Sequence, residues 1–136
     1  MKSTKNGTRL LPLMVAMFLS AAALTMCSQK VEVLPPRPNQ LTTLDGQAYD
    51  VLFIAHAAIE KAKSEFTAGL LPKGASVEIN DTVKSYNLAR ATWLTYRAVI
   101  LSQSASSDTA QTQAVELNND LAQLQAAIKV LQGGGQ

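Results

Sequence analysis

The chain has 136 residues, room for one domain, with 47% hydrophobic and 16% charged residues. That apolar content excludes outright disorder, and a single cysteine excludes a disulfide scaffold. The formal charge of +2 is too small for a nucleic-acid binder, and Lys2, Lys5 and Arg9 supply three of its twelve basic residues within the first nine positions.

Residues 1–26 have the layout of a secretory signal peptide: a basic start, the uncharged stretch from Leu10 to Leu24, then small residues from Ser20 to Ala23. As a helix, the apolar stretch would reach about 22 Å, short of the roughly 30 Å hydrocarbon core of a bilayer. Pro12 weakens that helix further. A retained transmembrane anchor is therefore the second choice.

The only cysteine closes this region. Leu24-Thr25-Met26-Cys27 resembles the lipobox of bacterial lipoproteins, with leucine three residues before a cysteine that becomes the lipid-bearing N-terminus. Met26 stands where that pattern usually has Gly, Ala or Ser. The resemblance implies lipidation of Cys27 and a body held at a membrane of the cell envelope. The alternative is ordinary cleavage after Ala23, where Ala21 and Ala23 give the small-x-small pattern, releasing a soluble periplasmic helical binding protein. From Cys27 onward there are nine basic and ten acidic side chains, so a lipid, rather than surface charge, would hold the body at a membrane.

Residues 27–42 contain Pro35, Pro36 and Pro38, which favour extended polyproline geometry and cannot continue a helix. This segment reads as a semi-rigid tether lifting the body off the membrane.

Residues 43–132 carry three stretches of helical periodicity, and no strand is expected. The first runs from about Thr43 to Gly69, with Leu44, Ala48, Val51, Ala55, Ala58, Ala62 and Phe66 as its stripe and Leu52 and Ile59 on the flank. Thr42 or Thr43 caps it, Asp45 and Asp50 suit the positive end of the helix dipole, and Lys61 and Lys63 suit the other. The second runs from about Ser76 to Ser104, with Asn80-Asp81 as an alternative start. Ile79, Val83, Tyr86, Ala89, Trp93, Tyr96 and Ile100 share one face, with Leu94 and Leu101 alongside. The third follows a cap at Asp108: Ala110, Ala114, Leu117, Leu121, Leu124, Ile128 and Leu131 alternate spacings of four and three, a heptad seam. Residues 133–136 are a glycine-rich tail that ends it. Matched lengths and short connections predict an all-α, elongated, up-down-up three-helix bundle.

Catalytic motifs are missing from the sequence. His56 is the only histidine, no cysteine accompanies it in the body, and the carboxylates are dispersed. A non-catalytic protein without cofactor or metal is expected. The one concentrated cluster is Tyr86, Arg90, Trp93, Tyr96 and Arg97. The four-residue spacings let Arg90 lie over Tyr86 and Arg97 over Trp93, and such residues make interface hot spots. They are candidate contacts for an envelope partner or a second copy. The competing reading is that the aromatics fill the core and the arginines lie along its edge.

Overall fold

The computed structural model describes residues 29–133. It is a bundle of three helices, α1 (Thr43–Thr67), α2 (Ala75–Leu101) and α3 (Ser107–Gly133), and each packs on the other two. Among the described residues there is no strand, and no helix is long and apolar enough to cross a membrane.

Local chemistry sets each helix end. Thr42 caps α1, its Oγ1 accepting the Asp45 N–H at 3.1 Å. At the other end the Gly69 N–H donates to the Phe66 carbonyl and the Leu70 N–H to the Glu65 carbonyl. With Gly69 at φ 74, this is a Schellman closure, so α1 stops at Thr67 rather than Gly69. Lys61 and Lys63 fall short of the last turn and do not serve its dipole.

α2 begins at Ala75, so Asn80 and Asp81 lie inside it and cap nothing. It ends at Leu101, three residues before the expected Ser104. Ser102 turns extended and its hydroxyl meets that of Ser104 at 3.0 Å, the local competition that makes serine a poor helix residue. The cap of α3 is Ser106, whose Oγ accepts the Thr109 N–H at 3.2 Å. Asp108, expected as the cap, instead sits in the first turn, where its charge suits the dipole.

The core is narrow. Leu52, Ile59, Ile79, Val83, Tyr86, Trp93, Leu117 and Leu124 are fully buried, each large apolar side chain contributing about 1.5–3 kcal/mol. Ala48, Ala55 and Ala62 bring α1 close to its neighbours. The flank residues Leu52 and Ile59 are the true centre of α1, while Leu44, Val51, Ala58 and Phe66 are only half-buried. On α2, Leu94 and Leu101, expected alongside the core face, are 39% and 63% exposed. The heptad of α3 points inward as predicted, with Leu117, Leu121, Leu124 and Ile128 buried.

The largest departure concerns the proline-rich segment. From Gln29 to Leu41 it is no free tether but a strap laid along α1 and α2. Val31 and Leu34 pack against the core, and side chains from both helices bond its backbone. Its course is antiparallel to α1, from Lys63 beside Gln29 to Asp45 beside Leu41. Prolines suit this role, because a segment held by its carbonyls loses nothing at a residue without an N–H.

Candidate functional site

Of the five clustered residues of α2, Tyr86, Arg90 and Arg97 bond the strap, and Trp93 and Tyr96 bond the start of α1. Tyr86 is fully buried, and its hydroxyl donates to the Glu32 carbonyl at 3.0 Å. Burial pushes its pKa up to about 12, so it stays a donor across the physiological range. Arg90 donates from Nε to the Val33 carbonyl at 2.8 Å, and this bond takes the guanidinium that the spacing would have put over Tyr86. Between them Asn87 makes a paired contact: Nδ2 donates to the Lys30 carbonyl at 2.9 Å and Oδ1 accepts the Glu32 N–H at 3.0 Å.

One turn further on, Trp93, Tyr96 and Arg97 close around the start of α1. The Trp93 indole donates to Asp45 Oδ1 at 2.7 Å. Arg97 forms an ion pair with Asp45, lies over the Trp93 ring at 5.5 Å, and donates to the Asn39 carbonyl at 3.2 Å. The Tyr96 hydroxyl shares a 2.9 Å hydrogen bond with Thr42 Oγ1, joining the cap of α1 to the cluster.

Asp45 is the centre of this network, at 2% exposure. It also accepts the Leu41 N–H at 2.9 Å. Burial works to raise its pKa. The Leu41, Arg97 and Trp93 hydrogen bonds and the Arg97 charge outweigh burial and hold it below the ordinary 3.8. Sequence reasoning gave Asp45 only a dipole role. The available signal was Thr42-x-x-Asp45, the spacing of a capping box.

On the α1 side, the Tyr49 hydroxyl donates to the Pro35 carbonyl at 3.1 Å and Lys63 to the Gln29 carbonyl at 3.2 Å. Arg37 of the strap pairs with Asp50 at 2.7 Å and lies over Tyr49. The cluster therefore holds an extended peptide mainly through backbone carbonyls, and the peptide it holds is the chain's own. His56 is half-buried, its ring 5.7 Å from that of Tyr86. Among the described residues no three His, Cys, Asp or Glu side chains converge to hold a metal ion. Cys27 lies outside the described residues.

Compared with protein-family models, with curated proteins and with solved structures, the chain matches none.

Proposed function

We propose that this chain is a non-catalytic protein of the bacterial cell envelope, exported by its leader, anchored through lipid on Cys27, and using its helical bundle to contact another envelope protein or a second copy. The observation that carries this reading is the order of the first 27 residues: basic start, apolar stretch, then Leu24-Thr25-Met26-Cys27. A lone thiol in an oxidising compartment is a liability that a thioether removes. Diacyl or triacyl modification provides the two or more chains that stable anchoring requires. The expected partners are the membrane, through the lipid, and a protein surface; neither nucleic acid nor a cofactor enters this reading.

Cells expressing the full chain and fed labelled palmitate test it. Label should enter the protein and be lost in Cys27→Ser. A second reading, a soluble periplasmic binding protein, is favoured by Ala21-x-Ala23 and by Met26 before the cysteine. An unlabelled mature protein that begins at Leu24 would establish that reading in place of the first.

A further inference from the structure

A leucine on a turn is ordinary, and a singly exposed one needs no explanation. Leu70, between α1 and α2, differs in how it is held. In a Schellman closure the residue after the left-handed glycine usually packs its apolar side chain on the helix residue whose carbonyl it bonds. Here that residue is Glu65, which pairs with Lys61 at 3.6 Å. Leu70 has no apolar partner at that position, and the two backbone bonds of the turn hold it pointing outward at 74% exposure. Leu71 beside it turns inward onto the core, as does Phe66. Pro72 and Lys73 complete an exposed tip.

The strap ties the chain's leading segment to the same end. Gln29 is bonded by Lys63, about one turn before α1 stops. Cys27 is two residues earlier in the sequence, a span that cannot exceed about 7 Å. The docked strap leaves no length to lift the body away, so an anchor at Cys27 brings this end of the bundle to the bilayer. Lys61, Lys63, Lys73 and Lys129 all fall within about two turns of the end, against Glu60, Glu65, Glu78 and Asp81, of which Glu65 pairs with Lys61 and Asp81 with Lys84. Arg37, Arg90 and Arg97 lie toward the other end. Lysines at an interface reach headgroup phosphates while their stems lie along apolar surface.

We propose that the α1–α2 end of the bundle rests on a phospholipid bilayer, with Leu70 immersed at the level of the upper acyl chains and the surrounding lysines among the headgroups. This proposal rests on the lipid-anchor reading, and it fixes which end of the molecule faces the membrane. The opposite end, with the α2–α3 turn, then faces away and is presented to partners.

The test uses indole quenching by brominated lipids. Trp93 is fully buried, so it contributes a steady background. Two variants of the full chain, Leu70→Trp and Leu101→Trp, each add an indole at an exposed site, one at each end of α2. The processed proteins are recovered and their intact masses measured, which reports whether Cys27 carries lipid. A form without lipid that retains Cys27 is coupled there to a maleimide phospholipid, so the contact is tested even if the anchor reading fails. In vesicles of brominated phosphatidylcholine with phosphatidylglycerol, the L70W indole should lose about half its emission, as expected for a side chain about 5–10 Å into the interface. The L101W indole should lose none. Equal quenching of the two, quenching of L101W alone, or quenching of neither would overturn the proposal.

Discussion

Asp45 ties its own helix, α1, to the strap through the neighbouring Leu41 and to α2 through Trp93 and Arg97, 48 and 52 residues further on. A buried carboxylate with this many donors is costly to disturb, since removing it leaves Arg97 without its counter-charge. Asp45→Asn should cost about 3 kcal/mol, toward the low end of the range for breaking a buried pair because Arg97 keeps some solvent contact. The sign with pH follows from the lowered pKa. The carboxylate's contribution is complete above its unfolded value near 3.8 and is lost as pH falls through the lower folded value. Thermal midpoints of the native and Asp45→Asn proteins should therefore converge as pH falls below about 4. A gap that stays constant over that range would mean the carboxylate's charge contributes nothing.

At the scale of elements, the strap is the part that sequence could not show. The third helix was legible because its leucines repeat at a fixed spacing, and the same holds for the buried face of α2 from Ile79 to Tyr96. The first helix was legible as a helix but not in its rotation. Its stripe is mostly alanine, which identifies a face weakly, and Leu52 and Ile59 decide the packing. The strap has no periodicity, and its partners on α2, Tyr86, Asn87, Arg90 and Arg97, lie more than fifty residues away. A proline run says only that the segment is extended, and docking depends on side chains that meet its carbonyls. The cluster itself was visible from its four-residue spacings, but what it contacts was not. The strap is held by separate hydrogen bonds, each worth about 1 kcal/mol net, so it should open before the bundle does. Asn87→Ala removes two of them. Trypsin cleavage after Lys30, at protease levels where cleavage is slow relative to reclosing, should become about tenfold to thirtyfold faster, a loss of about 2 kcal/mol in local stability, with the main melting transition little changed. Unchanged cleavage would show that apolar packing of Val31 and Leu34 holds the strap instead.

For the whole molecule, the three helices and the strap divide the work of covering a thin core. α2 meets α3 more extensively than either meets α1, and the strap lies where α1 and α2 leave a groove. Stability therefore depends on a few large side chains and little on any one alanine. Leu121 and Leu94 separate this arrangement from a generally amphipathic one, because sequence placed both on apolar faces while the fold leaves them 6% and 39% exposed. Leu121→Asp forces a charge toward a core with no partner for it, and the full chain should lose most of its helical circular dichroism at 37 °C or melt well below the native protein. Leu94→Asp puts the same charge at a surface position and should cost about 0.5 kcal/mol or less. For a domain of this size that is a shift of roughly 2–4 °C. Were the two substitutions to lower the midpoint equally, α2 would be rotated from the orientation described, and the strap contacts of Tyr86 and Arg90, on the same helix, would have to be reassigned with it.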